Sequence, residues 1–252
     1  MSLGQSRQHF DYMSQDRRGR LLDQLASHCL EIDTIHGPQA DTATVEELAE
    51  TARAAAHLKA PVVVVHGGPF EVAQSELEAR MVVLRRKCRE LEAISHHTGI
   101  VFALENVAPG PATELVRMAV LEAEPGAIGF CYDSSHDQID GPRPFSLLME
   151  LRQRLVAMHL SDRVRAFVDH VLPGEGFIRW DTLCGVLAAR SLTFPLLLEV
   201  MTANSTQKDP ATFLDIAFEK GQALSSSISD AHRKRWEAGQ APSGQVEDDG
   251  RN

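Results

Sequence analysis

Long hydrophobic runs are missing from this chain. None of its 252 residues falls in an apolar stretch of the ~18 residues that a membrane-spanning helix needs. The opening Met1-Ser2-Leu3-Gly4-Gln5-Ser6 also lacks the apolar core of a secretory signal. A cytoplasmic protein without membrane contact is therefore expected. Cysteine is scarce: Cys29, Cys88, Cys131 and Cys184 lie far apart, with no Cys-x-x-Cys pair. That argues against a disulfide frame or a zinc ribbon and for reduced thiols. Basic residues are outnumbered, 25 Lys and Arg against 35 Asp and Glu, for a formal net charge of -10. Such a surface repels nucleic acid on average, so a small-molecule substrate is expected and a nucleic-acid partner is not.

What is present is a chain that is 43% hydrophobic, enough for one large core. Residues 1–225 are expected to form a single domain. The polar stretch 226–252, rich towards its end in Gly, Pro, Asp and Glu, is expected to be a partly disordered tail.

Along the chain, strand and helix patterns alternate. Residues 16–28 repeat Leu21, Leu22 and Leu25 at helical spacing, and 29–35 alternate like a strand. Thr44-Val45-Glu46-Glu47 is a capping-box pattern ahead of an Ala-rich helix that Pro61 stops. Val62-Val63-Val64-Val65 suits a strand buried on both faces. A charged amphipathic helix over about 73–97 is closed by Gly99, and Ile100-Val101-Phe102-Ala103-Leu104 follows as a strand. Further strands are expected near 127–133, 155–158 and 194–198, and helices near 112–123, 145–154 and 180–190. Asp209-Pro210 opens a last helix, with Asp as N-cap and Pro at the first helical position.

Each of the six expected strands ends on a residue that can bind a metal or move a proton: His36, His66, Glu105, Asp133, His159 and Glu199. Parallel strands joined by helices open all their C-termini on one face of an α/β barrel, which is where such barrels carry their chemistry. Taken singly, each residue has an ordinary explanation. A His after a strand often only hydrogen-bonds, and a buried Glu often pairs with Arg or Lys. Asp133 with His159 could be a charge-assisted hydrogen bond without a metal. His9, His28, His57, His96, His97 and His232 fall on helical or terminal segments and read as solvated.

Six motifs, in order over about residues 29–201, resemble the xylose isomerase-like barrel superfamily. They are Val-Val-His-Gly-Gly around His66, Leu-Glu-Asn at 104–106, Tyr-Asp-Ser-Ser-His at 132–136, Met-His-Leu-Ser-Asp at 158–162, His-Val-Leu-Pro-Gly-Glu-Gly at 170–176 and Leu-Glu-Val at 198–200. That superfamily groups sugar isomerases and epimerases, hydroxypyruvate isomerase, inosose dehydratase and endonuclease IV. The resemblance implies a (β/α) TIM-type barrel and one divalent ion, Mn, Mg, Co or Zn, held by Glu105, Asp133, His159 and Glu199. It implies that Glu105 and Glu199 also move protons, and that His136 and Arg165 touch substrate. His36, His66, His136 and His170 match further ligand positions of endonuclease IV and are read here as substrate-binding. The family barrel has eight strands; the first two have no counterpart before residue 29, so a barrel incomplete at its N-terminus, and through its unfilled edge a homodimer, is expected.

The expected activity is a metal-dependent sugar or sugar-phosphate isomerase or epimerase, working by proton transfer next to a carbonyl through a metal-stabilised enediolate. Endonuclease IV-like cleavage of abasic DNA ranks second, because Val168 stands where that enzyme has a metal-binding Asp, with Asp169 one place later. A barrel that binds metal or sugar without catalysis is the third reading.

Overall fold

Val62-Val63-Val64-Val65 is buried along its whole length, as a run apolar on both faces requires. In the computed structural model, which describes residues 14–137, 143–165 and 170–239, it forms β2 (Val62–His66) of a five-stranded sheet. The other strands are β1 (Thr34–His36), β3 (Val101–Glu105), β4 (Ile128–Asp133) and β5 (Leu155–His159). They lie in chain order, β1-β2-β3-β4-β5, and the first three pairings are parallel. The register aligns Val62 with Val101 and His66 with Glu105, so the functional ends of these two strands finish level.

Strand alternation explains which side chains share a face. Val62, Val64, Ala103, Cys131 and Ala157 form one buried cluster. Two residues further along their strands, the same face carries His66, Glu105 and Asp133. Gly129 is required by crowding in this layer. A Cβ there would meet Val156 Cγ2 at 2.4 Å and Cγ1 at 2.8 Å.

The helices follow their sequence signals. In α2 (Val45–His57) Thr44 and Glu47 make the reciprocal capping box. Helix α3 (Leu77–Thr98) ends at Gly99 in the left-handed conformation, φ 72°. Helix α1 (Gln15–Ser27) is capped by Ser14, and α4 (Pro111–Glu122) begins with Pro at its first position. After these come α5 (Ser146–Leu151), α6 (Trp180–Leu187) and α7 (Pro210–Glu237). Among the described residues no helix is long and apolar enough to cross a membrane.

Contacts group the chain into two units. Among the described residues, one comprises 14–137 with 154–158, the other 143–153 with 159–165 and 170–239. In the second, α7 packs Phe213 and Ala217 against Leu172, Leu198 and Val200, and its N-cap is Asp209.

Three elements depart from their sequence patterns. The strand expected over 29–35 shortens to β1, with Cys29 in the left-handed region at φ 54°. The strand expected over 194–198 is a single parallel bridge, Leu160 to Leu198. Pro195 has no N–H to give to a ladder, which limits pairing there. Helix α7 does not stop near Ser225; it runs through the polar stretch to Glu237, with Leu224 and Ile228 buried. His232 on it is half-buried, not solvated: its Nδ1 lies 3.1 Å from the Ala188 carbonyl oxygen. The end of the expected tail, 240–252, lies outside the described residues.

Candidate functional site

The first unit gathers five of the expected residues. Glu105, the last residue of β3, is 1% exposed. A carboxylate so buried must be compensated, and imidazoles do this. His36 Nε2 at the end of β1 lies 3.2 Å from Glu105 Oε2, and His66 Nε2 at the end of β2 lies 3.4 Å from the same oxygen. His36 Nδ1 sits 3.0 Å from the Gly37 carbonyl oxygen, which can only accept. Nδ1 therefore carries a proton, and the Nε2 lone pair of the neutral ring would face a carboxylate lone pair. A cation, proton or metal, resolves that repulsion. The atoms of His36, His66 and Glu105 lie within 4.8 Å of one another, a nitrogen–nitrogen–oxygen set suited to a divalent ion.

Asp133 ends β4 and is wholly buried. Its Oδ1 accepts from Ser135 N at 2.7 Å, Ser135 Oγ at 2.9 Å and His136 N at 3.1 Å. Its Oδ2 is 3.6 Å from His136 Nδ1. The turn Ser134-Ser135-His136 thus aims the carboxylate. Asn106 holds the backbone behind it, donating to the Asp133 carbonyl at 2.9 Å and accepting from its amide at 2.8 Å. Phe70 walls the group, meeting the His136 ring edge-on at 4.9 Å and the His66 ring at 5.9 Å.

The second unit places His159, the last residue of β5, with its Nδ1 2.8 Å from Glu199 Oε2. Glu199 is held at the strand end by its amide, which donates to the Leu160 carbonyl at 3.0 Å. Its side chain is 39% exposed against 5% for His159, so it reaches outward from a buried imidazole. His170 is buried, and its Nδ1 lies 3.2 Å from both Ser161 Oγ and the Glu199 carbonyl oxygen. Arg165 is exposed. Arg163, two residues earlier, is the buried arginine, its guanidinium carbon 5.3 Å from the centre of the Phe177 ring. Val168 and Asp169 lie outside the described residues.

The sequence reading passed over several residues that support these groups. Asn106, Ser135 and Phe70 are the clearest in the first unit; Ser161, Asp162 and Glu175 in the second. Buried Asp162 accepts from Arg163 N, Gly174 N, Ile178 N and Trp180 Nε1, all at 2.8–3.0 Å. All but Phe70 lie inside the motifs quoted above; Ser135 acts on Asp133 two positions before it, whereas Asn106 and Ser161 act on groups 27 and 9 positions away, which no local pattern reveals. A cavity of about 380 Å³ lined by Arg190, Phe194, Leu196, Ile228 and His232 contains none of the expected site residues.

Known structures share this fold. A D-tagatose 3-epimerase-like protein of known structure is 19% identical, with a TM-score of 0.70 over 88% of this chain and 86% of that one. The IolI protein, whose crystal structure holds a zinc atom, is 17% identical, with a TM-score of 0.58 over 84% of this chain and 82% of that one. An uncharacterized protein of Sinorhizobium fredii, y4fM, is 29% identical over 161 residues, 62% of this chain. The match spans only 52% of that relative's length. Residues 5–217 match a family as well, and on that match the chain belongs to the xylose isomerase-like TIM barrel family.

Proposed function

We propose that this protein is a metal-dependent isomerase or epimerase of sugars or sugar phosphates. The observation that carries the reading is the buried Glu105 carboxylate, with the Nε2 atoms of His36 and His66 converging on one of its oxygens at 3.2 and 3.4 Å. Similarity to proteins named as epimerases, and to one whose structure holds zinc, supports it. Glu105, Asp133, His159 and Glu199 are the proposed ligands of one divalent ion. The ion supplies positive charge at the substrate's carbonyl and hydroxyl oxygens, which makes the neighbouring C–H bond acidic. Glu105 and Glu199 are the proposed proton carriers, one removing the proton beside the carbonyl and the other returning one. His36, His66, His136, Arg165 and His170 offer hydrogen bonds that would orient a polyhydroxylated substrate. Phe70 packs against the His66 and His136 rings.

Solvent deuterium exchange tests this. Protein stripped of metal and reloaded with Mn²⁺ is incubated in D₂O with a panel of ketoses and ketose phosphates. Deuterium should enter the carbon next to the carbonyl. Glu105→Gln and Glu199→Gln should each lower turnover by about 10² or more, the usual cost of losing a general acid or base. If both variants exchange and turn over like the parent, neither glutamate moves a proton.

The same group also fits a second reading, an endonuclease IV-like phosphodiesterase. His36, His66 and Glu105 together can hold an ion, so the chain offers ligands for more than one. Cleavage of abasic duplex DNA in moderate salt, abolished in Glu199→Gln, would reverse the ranking.

A further inference from the structure

His170 has a left-handed backbone, φ 46°, a conformation costly for a residue with a Cβ. Such a conformation persists only where its surroundings over-determine it, and here a closed ring of hydrogen bonds does so. The His170 carbonyl accepts from Met201 N at 2.8 Å, and the Met201 carbonyl accepts from the amides of Asn204 and Ser205, each at 3.2 Å. Ser205 Oγ donates to Glu175 Oε1 at 2.9 Å. Thr206 N donates to the same oxygen at 3.0 Å, and Thr206 Oγ1 also donates to it. The other oxygen, Oε2, accepts from Leu172 N at 3.0 Å. The ring closes along the chain through Val171, which is itself fixed by two backbone bonds with Asp162 at 2.9 and 3.0 Å.

We propose that Glu175 is a positioning residue: it clamps the segment after Glu199 to the segment after His170, and so holds His170 and Glu199 in their working arrangement. The clamp needs two accepting oxygens, one for each segment. A carboxylate provides both; an amide provides one, so Gln in either orientation turns an NH2 group that cannot accept towards a backbone N–H, that of Leu172 or that of Thr206. The ring also accounts for the state of Glu175. Burial pushes its carboxyl up, but the hydrogen bonds from Thr206, Ser205 and Leu172 together hold it below the usual carboxylate range. Ser205 is 1% exposed, so its hydroxyl depends on this partner. The catalytic part of the proposal rests on reading His170 and Glu199 as site residues; the structural part does not.

The experiment compares the parent with Glu175→Gln, and with Glu114→Gln as a control that weakens an unrelated carboxylate, one paired with Arg117 at 2.7 and 2.8 Å. Amide exchange of Met201 and the imidazole resonances of His170 are followed by NMR, alongside urea unfolding. In Glu175→Gln, Met201 should exchange at least about tenfold faster by local opening, and the His170 signals should shift. The control should leave both unchanged. With Mn²⁺ and a ketose that the parent turns over, kcat should fall about tenfold or more while KM moves less than about threefold, as expected for lost orientation. Ser205→Ala and Thr206→Val, which each remove one donor, should move the same signals less, and they decide the matter if Glu175→Gln does not fold. Parent-like Met201 exchange and His170 resonances in folded variants would overturn the clamp. If the parent acts on no ketose, the isomerase reading fails on its own, while the NMR comparison still decides the role of Glu175.

Discussion

Asp133 spends one oxygen on three donors from its own turn, Ser135 N, Ser135 Oγ and His136 N. Charge-assisted bonds of this kind fix a carboxylate's direction. Ser135 is therefore expected to matter to metal binding although it is not a proposed ligand. Loss of a ligand's hydrogen-bond partner commonly costs roughly 10–100-fold in metal affinity. Ser135→Ala should weaken Mn²⁺ or Zn²⁺ binding towards the lower end of that range, because the two backbone donors remain. Asp133→Ala should weaken it by more. Titration calorimetry on chelator-treated protein measures both, with circular dichroism to establish folding. Parent-like affinity in Asp133→Ala would remove this residue from the ligand set.

At the scale of elements, the neighbouring strands β4 and β5 are set by what Gly129 lacks. Its missing Cβ leaves room for the two Val156 methyl groups, which would otherwise sit 2.4 and 2.8 Å away, with Arg154 O at 3.1 Å. Overpacking a core position usually costs about 1–3 kcal/mol. Gly129→Ala should destabilise by about that amount, read as a lower urea midpoint at constant slope. Because the clash is with one side chain, Gly129→Ala with Val156→Ala should recover part of the loss. Additive effects in the double variant would place the strain elsewhere, at the Arg154 carbonyl.

For the whole molecule, the carboxylates that fold shifts set the acid limit. A hydrogen bond from Arg117 holds Glu114 below the usual carboxylate range, one from Arg85 does the same for Glu122 and one from Thr212 N for Asp209, and Glu175 lies low despite its burial. Burial raises Asp33 instead. A lowered group stabilises the fold above its unfolded value, about pH 4, and that contribution is lost as pH falls through its folded value. Asp33 acts oppositely, but it is one group against four. Thermal stability should therefore decline steadily below about pH 4. Calorimetric scans in pH steps check this. A flat profile through that range in the parent, or an unchanged acid limb in Glu175→Gln, would contradict the assignment.

Much of the architecture could be read from the chain alone, and the reason is locality. Val62-Val63-Val64-Val65, the Thr44–Glu47 capping box, Gly99 and Asp209-Pro210 act on neighbours within a few residues, so their outcomes do not wait on the rest of the fold. The alternation of strands and helices then implies parallel pairing, which brings His36, His66 and Glu105 together at strand ends. Only tertiary structure decided what depends on distant partners. It buried Arg163 against Phe177 and left Arg165 exposed, which two arginines in one polar loop could not reveal. It reduced the stretch around Pro195 to a bridge, and it carried α7 on past Ser225 because Leu224 and Ile228 found burial. It tied Glu175 to Ser205 and Thr206, some 30 positions along the chain. Contacts at that separation form only once the chain has closed the loop between them, and their geometry is set by packing rather than by any local pattern.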